Sequence, residues 1–215
     1  MASLVFVCQT SVRRSRFRVF FKFAIQLWKD CDGKQIFRRL TGMDFIWHYD
    51  SPLGGITLAS DGTALAGLWF DGQRYFADTL AKQHEERKLP IFSETVKWLD
   101  VYFDGKIPDF TPPIVMRCSI FRKAVWEAML AIPYGKTMTY GEIAASIARR
   151  RGLDRMSAQA VGGAVGHNSI SLVIPCHRVV GADGSLIGYA GGMDRKLKLL
   201  ELERADLTGL FIPSK

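Results

Sequence analysis

Residues 139–166, TYGEIAASIARRRGLDRMSAQAVGGAVG, carry the clearest structural pattern in this 215-residue chain. Thr139 and Glu142 have the spacing of a capping box, in which the hydroxyl and the carboxylate bind each other's exposed backbone N–H groups. Ile143 and Ile147 lie four residues apart and form one apolar helical face. The pattern therefore predicts a helix that begins directly after Thr139 and packs through this face.

A second short helix is predicted a few residues downstream of the first. After the basic turn at residues 149–152, Ser157 can cap a helix that runs from Ala158 to Val165 and closes at Gly166. Two short helices around a turn are a candidate helix-turn-helix, which places one helix against DNA. Many such pairs only pack against each other, so the pattern alone leaves both interpretations open.

The second of these helices contains almost no large side chains. Gly162 and Gly163 are adjacent inside it, and each costs about 1 kcal/mol of helix stability relative to alanine. A cost of this kind indicates a helix that something approaches closely. The partner is either a neighbouring helix or the walls of a DNA minor groove.

Downstream, the stretch IPCHRVV at residues 174–180 places a cysteine beside an imidazole and a guanidinium. Cysteine attacks as the thiolate, so a nearby proton acceptor and positive charge favour a reactive sulfur. The β-rich composition predicts a strand, in which Cys176 and His177 would point to opposite faces. The two side chains can act together only if the backbone turns there, and a buried structural cysteine is the alternative.

Upstream, three short β-rich runs predict a small antiparallel sheet. They cover residues 45–49, 56–59 and 65–70, with glycine-containing turns between or after them. Ser93 can then cap a helix that ends near residue 105, and Ser119 can cap another that runs through residue 131. The consecutive prolines between these two helices fix an extended backbone and predict a linker.

Charge is distributed unevenly over three segments, which are also the expected domains. Residues 1–42 carry 9 Lys/Arg and 2 Asp/Glu, residues 43–112 carry 6 and 11, and residues 113–215 carry 14 and 8. A basic final segment suits a polyanionic partner, whereas the acidic middle segment does not. We expect an α/β (α+β) fold with a sheet-and-helix domain at 43–112 and a helical domain at 113–215.

The first 42 residues lack clear periodicity and are interpreted as an N-terminal extension. They are either an Arg-rich targeting segment or residues upstream of a natural start at Met43, which we favour. The four cysteines show no CxxC pair, which fits a reducing, intracellular compartment. No stretch approaches the roughly 20 uninterrupted apolar residues of a membrane helix.

Residues 168–179, NSISLVIPCHRV, and residues 188–192, GYAGG, closely resemble the active-site signature of a known family. The family is the O6-alkylguanine-DNA alkyltransferases, also called methylated-DNA-protein-cysteine methyltransferases. The resemblance extends through residues 139–144 and 121–126, more weakly to residues 49–54, and covers about residues 44–206. It implies a ribonuclease H-like first domain and a second domain whose helix-turn-helix is of the winged-helix type.

The resemblance also implies a reaction and its catalytic residues. An alkyl group would pass directly and irreversibly from O6 of guanine, with O4 of thymine as a further candidate, to Cys176. His177 would take the thiol proton through a water, and Glu203, on a final amphipathic helix, would orient the histidine. Tyr140 would displace the DNA backbone phosphate and hydrogen-bond the flipped base at N3.

Further residues are implied to bind the base or the DNA. Asn168 resembles a hinge between the helix-turn-helix and the active-site segment. The carbonyls of Cys176 and Val179 would read the exocyclic amine, the N–H of Ala190 would contact O6, and Tyr189 would wall the alkyl pocket. The other implied DNA-binding residues are Ser157, Ala158, Gln159 and Arg178. Gln159 and Ser169 depart from the family, which often has arginine and proline there.

Two other functions compete with this interpretation. A non-enzymatic damage sensor of the same fold would lack the acceptor cysteine, which is present here as Cys176. A cysteine hydrolase unrelated to DNA would turn over continuously. We expect a cytoplasmic monomer that binds double-stranded DNA carrying O6-alkylguanine through the minor groove, with no membrane partner, cofactor or metal.

Overall fold

The computed structural model describes residues 43–213, and the chain from Met43 onward forms one compact unit. Four strands form the first sheet, in the spatial order β3-β2-β1-β4. Their bounds are β1 Met43–Ser51, β2 Gly54–Ser60, β3 Leu65–Phe70 and β4 Gln83–Glu86. The three predicted strands are present, and the pairs β1–β2 and β2–β3 are antiparallel. The expectations for residues 1–42 lie outside the described residues.

The sheet is mixed, which corrects the prediction of a purely antiparallel one. Strand β4 pairs parallel with β1 through residues 83–86. Its sequence, QHEE, is exposed at every position. A strand without a buried face has no alternation of apolar and polar residues, so periodicity could not reveal it.

Helix α1, Pro90–Phe103, covers the sheet and begins earlier than predicted. Ser93 does not cap it, because the cap position is Leu89 and the cap makes no side-chain hydrogen bond. Pro90 occupies the first turn, where its fixed φ suits a helix and its missing N–H is not needed. The inner face of α1 buries Phe92, Leu99 and Tyr102.

The predicted linker is extended but firmly attached to the sheet. The N–H of Leu65 donates to the carbonyl of Pro113 at 2.8 Å, and the N–H of Val115 donates back to Leu65 at 2.8 Å. Helix α2, Ile120–Leu130, follows, and Ser119 caps it by accepting from the N–H of Arg122, as predicted.

The helix pair is present at the predicted positions. After the short strand β5, Met138–Thr139, helix α3 spans Tyr140–Arg151 and begins with the predicted capping box. The basic run belongs to the last turn of α3, which ends at Gly152 with a φ of 64°. Ser157 caps helix α4, Ala158–Gly166, which continues one residue further than predicted.

The segment after α4 contains a tight turn where a strand was predicted. Residues Cys176–Arg178 form a 3-10 turn, followed by strand β6, Val179–Val180, which pairs parallel with β5. Helix α5, Met193–Leu202, is the last helix of the described part of the chain. None of the helices within residues 43–213 has the length and apolar character needed to cross a membrane.

Candidate active site

Cys176 begins the 3-10 turn and is almost completely buried, with 3% of its surface exposed. The turn supplies the change of backbone direction that a cysteine–histidine pair needs. The Sγ atom accepts a hydrogen bond from the Asn168 side-chain amide at 3.0 Å. Burial raises the pKa of the Cys176 thiol, while the Asn168 amide and the Lys196 ammonium act against that rise. The resting residue is therefore a protonated thiol that needs a base.

Asn168 joins the end of α4 to the cysteine. Its amide nitrogen also donates to the carbonyl of Ile174 at 2.7 Å, and its oxygen accepts from the N–H of Ile170 at 3.1 Å. These bonds fix the orientation of the buried amide, so its N–H group must point at Sγ. The position suits the hinge that the resemblance implies.

His177 and Glu203 form a fully buried pair. Nε2 of His177 lies 2.7 Å from Oε1 of Glu203, and both side chains are 0% exposed. Glu203 is the residue directly after α5, which corrects the prediction that it lies on the helix. Its other oxygen accepts from Nε of Arg178 at 2.8 Å and from the N–H of Gly135 at 3.0 Å.

The charge states of this pair follow from its surroundings. Burial alone would raise the pKa of Glu203, but the hydrogen bonds and charges of His177 and Arg178 outweigh it and hold that pKa well below its usual range. Burial lowers the pKa of His177, although Glu203 opposes the shift. At neutral pH the site therefore combines a carboxylate with a neutral imidazole, which can accept a proton.

The hydrogen-bond partners of His177 determine which ring nitrogen carries the proton. An ionised carboxylate can only accept, so Nε2 of His177 must carry the hydrogen that Glu203 receives. Nδ1 is then the unprotonated nitrogen. It is buried and makes no hydrogen bond to any residue that the structure describes. Nδ1 is therefore the atom available to take a proton.

Arg178 is held inside the protein by its hydrogen bonds. Besides binding Glu203, its NH1 group donates to the carbonyl of Ile132 at 2.6 Å, and its side chain is 11% exposed. The prediction that Arg178 binds DNA gains no support from this geometry. Its observed contacts make it the partner that neutralises the Glu203 carboxylate.

Lys196 is a buried cation that the sequence analysis missed. Its Nζ donates to the carbonyl of Val179 at 2.5 Å and to that of Ile187 at 3.0 Å. Burial lowers the pKa of Lys196 to about 8, and the charge of Cys176 opposes this shift. Helical spacing of 3 to 4 residues places Lys196 on the same face of α5 as Leu199, Leu200 and the following Glu203. That shared face was the signal available in the sequence.

Two tyrosines lie close enough to Cys176 to respond to its charge. Tyr140 is half-buried and donates to the carbonyl of Ile187 at 2.9 Å. Its pKa is raised to about 12, first by burial and then by Cys176. Tyr189 is buried, and its hydroxyl makes no hydrogen bond within the described part of the chain. A side chain on Gly188, whose φ is 82°, would collide with the Tyr140 hydroxyl.

The remaining predicted residues lie on an exposed surface and beside Tyr189. Ser157, Ala158 and Gln159 form the exposed first turn of α4. The ring of Tyr140 lies 3.8 Å from where a Cβ atom of Gly162 would be, so the start of α3 packs against α4. Ala190, next to Tyr189, accepts at its carbonyl from the N–H of Arg74 at 3.0 Å.

Comparison with known proteins identifies the family to which the two parts of the described chain belong. Residues 47–115 match the ribonuclease-like domain, and residues 120–205 the DNA-binding domain, of 6-O-methylguanine DNA methyltransferase. These matches describe a two-domain protein whose second domain binds DNA and carries the buried cysteine.

Individual relatives agree with these matches. A methylated-DNA–protein-cysteine methyltransferase of Mycobacterium bovis is 44% identical over 168 residues, covering 75% of this chain and 97% of the relative. The Haemophilus influenzae protein of the same name is 37% identical over 158 residues, covering 73% and 84%. The crystal structure of Mycobacterium tuberculosis OGT in complex with DNA superposes with a TM-score of 0.64 at 40% identity, covering 79% of this chain and 99% of that one.

The chain belongs to the 6-O-methylguanine DNA methyltransferase family. This confirms the resemblance inferred from the signature around Cys176. It also confirms a small first domain of ribonuclease-like fold followed by a helical domain.

Proposed function

We propose that the protein repairs DNA by moving an alkyl group from O6 of guanine onto Sγ of Cys176. One observation carries the assignment of these roles. The buried thiol of Cys176 lies in the same tight turn as His177. The imidazole of His177 is neutral, and its Nε2–H group donates to Glu203, which leaves Nδ1 as the proton acceptor. A structural cysteine needs no such buried pair, whereas a cysteine that must lose its proton does.

The transfer follows from the positions of the protons. Nδ1 of His177 accepts the thiol proton through a water, and the imidazolium is stabilised by the Glu203 carboxylate. The thiolate then attacks the alkyl carbon, so that an S–C bond forms while the C–O bond to guanine breaks. The electron pair of that bond leaves with the guanine, which takes a proton back from the His177 imidazolium and so restores the neutral imidazole. Lys196 stabilises the transient thiolate.

The guanine would be recognised mainly by backbone groups and tyrosines. We infer that the carbonyls of Cys176 and Val179 read the exocyclic amine. Val179 also accepts from Lys196, which leaves a second lone pair on its oxygen. The hydroxyl of Tyr140 would reach N3 of the base after releasing Ile187, and Tyr189 would line the alkyl pocket next to the N–H of Ala190.

The exposed turn of α4 is the proposed DNA contact. A base inside a duplex cannot reach a buried sulfur, so the nucleotide must leave the stack. Ser157 and Ala158 are small enough to enter a minor groove, and Gln159 would occupy the gap that the base leaves. A Cβ on Gly163 would meet no atom within 4 Å. Packing inside the described structure therefore does not explain that glycine, which favours an outside partner.

We also propose that the protein acts as a cytoplasmic monomer. The thiol, the base, the carboxylate and the exposed turn of α4 all belong to one chain. A second copy is not needed to complete the site.

The role of Cys176 is tested by label transfer with two matched variants. Wild-type protein, Cys176→Ser and Cys118→Ser are mixed with duplex DNA that carries labelled O6-methylguanine. We expect label on the wild type and on Cys118→Ser, because Cys118 lies outside the site, and none on Cys176→Ser. Label on Cys176→Ser would refute the assignment, provided that all three proteins bind the duplex.

A further inference from the structure

A residue of the first domain reaches the catalytic pair. Tyr102 lies on α1 and is 0% exposed. Its hydroxyl donates to Oε1 of Glu203 at 2.7 Å and lies 3.3 Å from Nε2 of His177. The three polar atoms therefore form a closed triangle, since His177 and Glu203 are 2.7 Å apart.

The ring of Tyr102 is held in place by aromatic neighbours. Trp98 stacks on it with a centroid distance of 5.3 Å and an interplanar angle of 7°. Tyr134 and His177 contact it edge-on at 6.1 Å and 6.4 Å. A ring packed on several sides has little freedom, so the hydroxyl is held in one position relative to Glu203.

Tyr102 is distinguished from the other partners of Glu203 by its place in the chain. Within residues 43–213, the other hydrogen-bond donors to this carboxylate are His177, Arg178 and the backbone of Gly135, all in the second domain. Tyr102 is thus the contact through which the first domain touches the catalytic carboxylate.

The chemical effect of this contact follows from the shared oxygen. Burial and the Glu203 charge raise the pKa of Tyr102 well above its usual range, so the hydroxyl remains a donor. A hydrogen bond to a carboxylate spreads its negative charge and makes it less basic. Glu203 then attracts the Nε2 proton less strongly. The imidazole keeps its Nε2–H form but holds an additional proton at Nδ1 less tightly.

We propose that Tyr102 is a positioning residue that sets the tautomer and the basicity of His177 through the shared Glu203 oxygen. The inference rests on the proposed role of His177 as the base. It assigns to the first domain a direct part in the chemistry.

The test compares Tyr102→Phe with Tyr49→Phe. Tyr49 is the matched control, because its hydroxyl also donates to a carboxylate, that of Asp100 on α1 at 2.9 Å, but outside the site. The rate of methyl transfer from an O6-methylguanine duplex is measured from pH 5.5 to 9. The ring nitrogen shifts of His177 are followed by NMR over the same range without DNA.

We expect Tyr102→Phe to make Glu203 more basic and so to raise the pKa of His177. The acid limb of the rate profile then moves to higher pH. The rate should fall about tenfold near neutral pH and much less near pH 9, where the imidazole is neutral again. Tyr49→Phe should keep the wild-type profile.

If Tyr102→Phe does not fold stably, a second variant that keeps the aromatic packing of residue 102 provides the test. Fluorotyrosine at position 102 retains the ring and is a stronger donor, so it should move the acid limb and the His177 titration to lower pH. An equal loss of rate at every pH, or a His177 titration that neither variant moves, would overturn the inference. Absence of transfer by the wild type would instead refute the proposed function.

Discussion

At the residue scale, the site contains several titratable groups whose burial in charged form costs free energy. The pKa of Lys196 falls from 10.5 to about 8, so the folded state binds its proton less tightly than the unfolded chain. Such a shift lowers stability at neutral pH by roughly 3 kcal/mol, and stability recovers as the pH rises from about 8 towards 10.5. Buried groups with shifts of this kind are typical of functional sites.

Replacing Lys196 should slow the chemistry more than it changes DNA binding. Lys196→Met removes the ammonium that stabilises the Cys176 thiolate, so the pKa of the thiol should rise further. We expect methyl transfer at pH 7.5 to fall on the order of tenfold, equivalent to about 1.4 kcal/mol. The pH profile of Cys176 alkylation by iodoacetamide should also shift to higher pH. Lys198→Met, an exposed position on the same helix, is the control. Identical profiles for the two variants would contradict this role.

The sequence predicts some residues of the site and not others for a physical reason. Cys176 and His177 are adjacent, and the chemistry of a thiol beside an imidazole is visible in the sequence alone. Glu203 was assigned only through the family resemblance. Tyr102 is 75 residues from His177, so only the folded chain brings the two together. A tyrosine on an apolar helix face is otherwise an ordinary core residue.

At the element scale, local hydrogen-bonding patterns were predicted better than patterns that depend on the whole fold. Thr139, Ser119 and Ser157 cap their helices because each offers an oxygen to the N–H group three residues ahead. Ser93 was the wrong cap, since the cap of α1 is Leu89, four residues earlier. The strand predicted at Cys176 is a 3-10 turn, because tertiary contacts there override the β propensity of the segment.

This difference between caps predicts a difference in stability. Thr139→Ala removes the capping box of α3 and should lower the free energy of unfolding by about 1 kcal/mol. Ser93→Ala removes a hydroxyl that caps no helix and should change it by less than about 0.5 kcal/mol. Urea denaturation measures both. Equal destabilisation by the two substitutions would show that the capping box of α3 contributes no more to the free energy of unfolding than the Ser93 hydroxyl does.

At the scale of the whole molecule, hydrogen bonds and an ion pair attach the first domain to the domain that contains the candidate active site. Leu68 of β3 donates to the carbonyl of Ser169 at 2.8 Å and accepts from the N–H of Ser171 at 2.9 Å. Asp44, which is 2% exposed, forms a two-pronged ion pair with Arg117 at 2.6 and 2.7 Å. These contacts join the beginning of β1 and the edge strand β3 to the second domain. The boundary at residue 112 stays a prediction, and the residues on either side of it belong to one compact unit.

This compactness predicts that the first 42 residues are dispensable. A variant that begins at Met43 retains β1 and the Asp44–Arg117 pair. It should therefore melt within a few degrees of the full chain and transfer methyl groups at the same rate. Thermal unfolding and label transfer check this. An insoluble product, or a melting temperature far below that of the full chain, would contradict the prediction.

The most direct test of the account is the stoichiometry of transfer. A thioether on Cys176 has no carbonyl for water to attack, and a thiolate leaves a saturated carbon poorly, so His177 and Glu203 cannot reverse the step. A known amount of protein is mixed with excess O6-methylguanine duplex, and intact and peptide masses are recorded over time. We predict one methyl group per active molecule, located on the peptide that contains Cys176, after which transfer stops. Continued turnover, or a methyl group on any other cysteine, would contradict the account.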